Sequence, residues 1–287
     1  MAGVFPIHLG IMNAQEETLL TCDLITPQPQ FCAGFRRLLK DWDDTRCATV
    51  RNTSSGITQG VGFDDEEWFD TDEYETFIGA DSGTVSTLYD QSGNANNMSS
   101  DATSYQPTIE TADFDSNKYA MRTNNTNKHL YADLGAGAVD LNESTTFIVF
   151  KRYGGGWQLL SFSKNKGYNS GNGVVANNSY ARSVYGSYAS NNWQSGEATD
   201  RHVVHQTYDQ PTGIIKGYID DDQSATRTYS VDQDNHRYIA LSNYRINNPY
   251  LGVDSQIYEV IHYNEILSDA DRETIRDDIM NYYSITS

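Results

Sequence analysis

The sequence predicts an all-β chain, a sandwich or barrel of short strands with short N-terminal helices and one C-terminal helix. Three observations carry this. From residue 145 onward, short apolar or alternating runs recur, separated by turns rich in Gly and Asn, the pattern of antiparallel sheets folded onto each other. No internal repeat and no linker interrupts the series, so one main domain is expected. Near the C-terminus, Ser268 with Asp271 three residues on precedes a stripe of Ile275, Ile279 and Tyr282, which marks a capped helix. A chain of 287 residues can bury its own core as one such domain without disulfides.

Residues 1–28 stand apart, with Pro6, Pro27 and an amphipathic piece at 13–20. They read as an arm that docks on another chain, and residues 29–287 as the sandwich. Phe5, Ile7, Leu9 and Ile11 alternate along the arm, so they would lie on a partner's surface as an added strand. From Gln30, the spacing of Phe31, Phe35, Leu38, Leu39 and Trp42 predicts a helix, ended by residues 41–45. Residues 48–52 and 57–63 alternate around Ser55-Gly56 as a hairpin. Residues 70–78 read as a short helix opened by acidic residues where the helix dipole favours them. A strand at 85–88 then runs into the polar turn Tyr-Asp-Gln-Ser-Gly-Asn at 89–94.

Further strands are predicted at 145–151, 157–162, 173–176, 181–188, 201–208, 213–219, 239–243 and 255–263. The last helix is expected to pack over one edge of the sandwich and to carry no chemistry.

Composition narrows the function. With 39 Asp+Glu against 20 Lys+Arg, the net charge is −19, which argues against nucleic acid and against anionic membranes. No window approaches the ~18 apolar residues of a membrane-spanning helix, and residues 1–30 lack the pattern of an export signal. Cys22, Cys32 and Cys47 include no Cys-x-x-Cys pair. Buried or free thiols are expected, with a Cys22–Cys32 bridge as the alternative. His202 and His205 lie three apart on a strand, on opposite faces, and cannot share a metal. Asp220 and Asp222, in an acidic triplet, are candidate Ca²⁺ ligands against a solvated turn, and no other cofactor is expected. Asp90 is expected to bond its own turn.

The strand-to-turn segment at 85–94, the strand-then-helix at 257–279 and the paired strands at 201–220 together resemble the concanavalin A-like, laminin-G-like jelly-roll family. More narrowly, residues 35–51 followed by 88–94 resemble the opening of the catalytic domain of arabinofuranosidase-B type glycosidases. The first resemblance implies a concanavalin A-like jelly roll covering about residues 31–285. The second implies a nucleophile just after 159–163 and an acid/base just after 239–241. The positions there are Lys164, Asn165, Lys166, Gly167 and Tyr168, then Ser242, Asn243, Tyr244 and Arg245. A retaining glycosidase needs two carboxyl groups roughly 5 Å apart, and no Asp or Glu occurs from Lys151 to Gly196. A domain without catalysis is therefore expected.

What remains is binding chemistry. The chain holds 20 Tyr and 4 Trp, and aromatic faces stack on sugars, pack in protein interfaces and decorate ordinary sheets alike. The candidate ligand-binding residues are Trp157, Tyr168, Tyr244, Arg245 and Tyr250, on loops that follow predicted strands. An extracellular type of module without an export signal, carrying a docking arm, suits a phage particle. The expected function is a virion structural protein, a head decoration or a tail or fibre component, with a lectin-like domain. Its partners would be other virion proteins, host surface glycans and further copies of itself. The alternatives are a glycoside hydrolase of arabinofuranosidase type and a non-viral carbohydrate-binding lectin.

Overall fold

A computed structural model describes residues 19–42, 44–124, 128–135, 143–154, 158–163, 172–177, 180–185, 189–190, 200–209, 211–228, 237–242 and 253–286. These residues are mostly β. In chain order the elements are β1 (Phe31–Gly34), β2 (Ala48–Asn52), β3 (Thr58–Val61), α1 (Thr71–Ile78), β4 (Gly83–Leu88) and β5 (Met98–Ser99). Next come β6 (Thr108–Thr111), β7 (Tyr119–Arg122), β8 (Leu130–Asp133), β9 (Glu143–Gly154), β10 (Gln158–Ser163), β11 (Asn172–Asn177) and β12 (Tyr180–Tyr185). The series closes with β13 (Ala189–Ser190), β14 (Arg201–Asp209), β15 (Ile214–Ile219), β16 (Asp222–Thr228), β17 (Tyr238–Leu241), β18 (Asp254–Tyr263) and α2 (Asp269–Tyr282).

The pairings are antiparallel and form two runs. One run is β16–β15–β14–β9–β18, with β1 and β7 sharing the far edge of β18 and β6 beyond β7. The other is β13–β12–β11–β10–β17–β8–β5–β4–β2–β3. A single pairing, Thr84 with Thr108, joins β4 to β6 and makes one curled sheet. Across the core, Phe162 of β10 meets His262 of β18 with ring centroids 5.0 Å apart. The two longest strands, β9 and β18, are buried along nearly their whole length. That explains the continuous apolar run Phe147–Phe150 in β9, and why the polar residues of β18, such as Gln256, Glu259 and His262, are buried with hydrogen-bond partners.

Of the predicted helices, the one at 70–78 and the C-terminal one form. Asp70 accepts a bond from Glu73 N and caps α1, and Gly79 at φ 60° ends it. Ser268 accepts from Asp271 N and caps α2, whose Ile275 and Ile279 face the core.

Two expectations are corrected. The helix predicted from Gln30 is instead β1 followed by irregular chain. All four residues of β1 are buried and paired with β18, and Leu38 N donates to the Gln91 side chain at 2.7 Å. Tertiary partners claim the backbone that a helix would need, and they override the local period. The arm boundary at residue 28 also moves. Cys22 and Ile25 lie in the core, Cys22 N bonds Leu38 O, and Thr21 Oγ1 donates to Asp278 of α2 at 2.6 Å. Residues 19–28 thus belong to the packed body. Phe5, Ile7, Leu9 and Ile11 lie outside the described residues.

Candidate active site

The Tyr-Asp-Gln-Ser-Gly turn is a staple, and it floors a cavity. Asp90 is 2% exposed; its Oδ1 accepts from Ser92 N and Cys32 N, and its Oδ2 from Asn96 N. Gln91 is 1% exposed; it accepts from Leu38 N and donates to the carbonyls of Gly34 and Arg36. Asn94 Nδ2 donates to Gln30 O at 2.9 Å. These bonds hold the segment that follows β1 against the turn, so Asp90 and Gln91 are spent on structure.

Between turn and segment lies a cavity of about 570 Å³ lined by Asp23, Asp41, Trp42, Asp44, Tyr89 and Asn97, among others. Its carboxylates differ. Asp44 is gripped by Arg46, Nε at 2.9 Å and Nη2 at 2.5 Å, and these bonds hold its carboxyl below the usual carboxylate range. Among the described residues, Asp23 accepts the Lys40 backbone N–H, at 2.9 Å. Asp41 is exposed and bonds no described residue. Trp42 is half-buried, with its ring edge-on to Phe63 at 5.9 Å. Tyr89 shows only a rim, its ring covered by Arg46 at 4.5 Å and its hydroxyl on Thr49 at 2.9 Å. The cavity thus holds the ionised carboxylate of Asp44, the exposed side chain of Asp41 and an indole. An indole and carboxylates are groups that can meet a sugar, by stacking on its ring and by bonding its hydroxyls.

Other polar constellations do different work. Glu259 is 1% exposed and chelated by Arg36 at 3.1 and 3.2 Å, with Tyr283 Oη donating at 2.8 Å. No substrate could reach it. Asp220 has both carboxylate oxygens engaged, by Val203 N at 3.0 Å and His202 Nδ1 at 2.8 Å. Its carbonyl meets His205 Nε2 at 3.1 Å. The residue therefore closes the end of the β14–β15 pair, and as a Ca²⁺ ligand it would have to give up those bonds. The side chain of Asp222, like Trp157, Tyr168, Tyr244, Arg245 and Tyr250, lies outside the described residues. All three cysteines are buried and free. Burial pushes the Cys32 and Cys47 thiols up. No helix among the described residues is long and apolar enough to cross a membrane.

Sequence reasoning missed this cavity. The signal was present in Asp-Trp-Asp-Asp at 41–44, an indole flanked by carboxylates, but it was absorbed into the end of a predicted helix.

No family model and no curated protein matches the chain. Solved structures do. An arabinofuranosidase complexed with arabinofuranosyl-α-1,2-xylobiose superposes with TM-score 0.64 at 11% identity, over 91% of this chain and 64% of that one. A variant of GH54 α-l-arabinofuranosidase soaked with 4-nitrophenyl α-l-arabinofuranoside gives 0.66 at 12% identity, over 88% and 62%. Trypanosoma rangeli sialidase with 2,3-difluorosialic acid gives 0.51 at 14%, over 67% and 31%. The chain therefore spans under two thirds of the length of the arabinofuranosidases it matches. The likeness establishes a mostly β fold shared with these structures.

It also corrects two expectations. The virion reading finds no phage protein among these neighbours, which are glycosidases. The expectation of a catalytically silent domain gives way for the same reason. It rested on two loop positions inherited from a resemblance, whereas carboxylates gather in a different place, beside the turn at 89–97.

Proposed function

We propose that this chain is a glycoside hydrolase built on a concanavalin A-like jelly roll of arabinofuranosidase type. The two antiparallel runs facing each other across the core support the jelly roll. The observation that carries the activity is the cavity in which Asp23, Asp41 and Asp44 surround Trp42. In this reading Trp42 stacks the sugar ring. Asp44, kept ionised by Arg46, stabilises positive charge developing at the anomeric carbon or attacks it. Asp41 passes a proton to the leaving oxygen. With Arg46 already paired to Asp44, the site favours neutral sugars over anionic ones.

The test is release of nitrophenol from a panel of 4-nitrophenyl glycosides that includes the α-l-arabinofuranoside and a sialoside. Turnover of a neutral glycoside is expected, and it should fall by roughly 10²-fold or more in Asp41→Asn and Asp44→Asn. Turnover indifferent to both substitutions, or no turnover across the panel, would overturn the assignment.

A further inference from the structure

We infer a second glycan subsite next to the first, so that the site takes an oligosaccharide and not a single sugar. The inference rests on the reading of the first cavity as a sugar site. Beyond Trp42 lies a second cavity of about 730 Å³. Phe63 and Phe77 are half-buried in its wall, and Asp65, Asp72 and Thr76 stand exposed at its rim. Trp42 lines the first cavity and Phe63 the second, and their rings are in edge-to-face contact at 5.9 Å. One aromatic step therefore connects the two.

The elements around the second cavity are firmly set. Asp70 caps α1, the helix that carries Thr76 and Phe77. Glu73 reaches back from α1 to accept Gly62 N at 2.9 Å and Gln59 Nε2 at 3.3 Å, tying the helix to the end of β3. Asp64 accepts from Glu66 N and Trp68 N, which shapes the loop below. With Asp64, Asp70 and Glu73 engaged, Asp65, Asp72 and Thr76 remain to meet hydroxyl groups while Phe63 and Phe77 meet the apolar faces of sugar rings. An aromatic wall with hydroxyl-binding groups at its rim, joined to another such cavity by the Trp42–Phe63 contact, matches a neutral glycan chain better than a small anion or a peptide helix.

The experiment measures affinity by calorimetry for arabinofuranosyl-substituted xylo-oligosaccharides of increasing length, alongside turnover of the aryl glycoside. Longer chains should bind roughly tenfold tighter than the shortest, the worth of one or two aromatic contacts. That gain should vanish in Phe63→Ala. It should vanish equally in Thr76→Trp, which fills the cavity from an exposed position and leaves the core intact; melting temperatures report on folding. Length-independent binding with aryl-glycoside turnover intact would overturn the subsite and leave the hydrolase reading standing. A gain in affinity that survives both substitutions would also overturn it. Length-dependent binding lost in the variants, but without turnover, would support the subsite and overturn the hydrolase reading. Absence of both binding and turnover would overturn both.

Discussion

Arg36 and Glu259 form an ion pair almost without solvent, with side chains 6% and 1% exposed. Burial opposes the charge on Arg36, but the Glu259 carboxylate more than offsets it and holds the guanidinium above its usual range. Asp278 adds a contact at 3.3 Å, and the Tyr282 ring lies 4.1 Å beneath the guanidinium carbon. A buried pair is not in itself a large source of stability, but removing one partner strands the other charge. Arg36→Met should therefore cost about 3–5 kcal/mol in urea unfolding, and Arg36→Met combined with Glu259→Gln should recover part of that. Equal losses in the single and double variants would show that no such charge is stranded. His205 makes a second residue-scale prediction. Its ring is stacked between Phe147 and Tyr218, at 5.3 and 4.6 Å, and burial lowers its pKa from 6.5 to about 3. The unfolded chain then binds a proton that the folded chain refuses, so this contribution is complete above pH 6.5 and lost as pH falls toward 3. Urea midpoints should fall between pH 6.5 and 5 in the wild type and fall less in His205→Phe. Parallel pH profiles for the two proteins would assign the acid sensitivity elsewhere.

Elements here take their form from where their backbone bonds go. At β1, a Cβ on Gly34 would lie 2.7 Å from Glu259 Cβ and 2.8 Å from the Tyr258 carbonyl. The strand can press against β18 only because that position has no side chain. Gly34→Ala is thus expected to destabilise by roughly 1–3 kcal/mol, the usual cost of overpacking, and to disturb the Arg36–Glu259 pair beside it. A melting temperature unchanged from wild type would mean that β1 can shift without cost. The same close approach explains what the sequence could not reveal. Phe31, Phe35, Leu38 and Leu39 have helical spacing, yet Phe31 pairs with His262, Phe35 N bonds Tyr258 O and Leu38 N bonds the Gln91 side chain, all far along the chain. Elements whose signal is local were legible. Ser268 caps α2 at the expected residue, α1 lies within the stretch read as a helix, and β14 and β18 match their predicted ranges almost to the residue. By contrast, β5 to β8 are too short to leave a period, and β16 is polar (Asp-Gln-Ser-Ala-Thr-Arg-Thr). The cavity was half legible. The Tyr-Asp-Gln-Ser-Gly turn that floors it was singled out, and the self-bonding of Asp90 foreseen. The opposing wall at 39–44 could not be found while that segment was read as a helix.

At the scale of the whole molecule, residues 19–28 and the helix α2 meet. The turn at Thr21–Asp23 lies against α2 through the Thr21–Asp278 bond, and Cys22 and Ile25 add to the core in which Ile275, Ile279 and Tyr283 are buried. Asp278 receives Arg36 as well as Thr21, so the buried ion pair and this seam share a carboxylate. Deleting residues 1–28 would remove the buried side chains of Thr21, Cys22 and Ile25, open Tyr263 and Leu38 to water, and leave Asp278 with one partner fewer. Burying a side chain such as Ile25 is worth roughly 1.5–3 kcal/mol, so the deletion should cost about 3–5 kcal/mol. A domain of marginal stability, about 5–15 kcal/mol in total, would keep little in reserve. The truncated chain is therefore expected to melt at much lower temperature or to bind hydrophobic dyes, and to lose affinity for glycans as the Asp23 side of the cavity disappears. A deletion ending at residue 18 separates the packed turn from everything before it. Should the deletion to residue 28 melt like the intact chain, the turn is an accessory and the seam with α2 holds nothing in place.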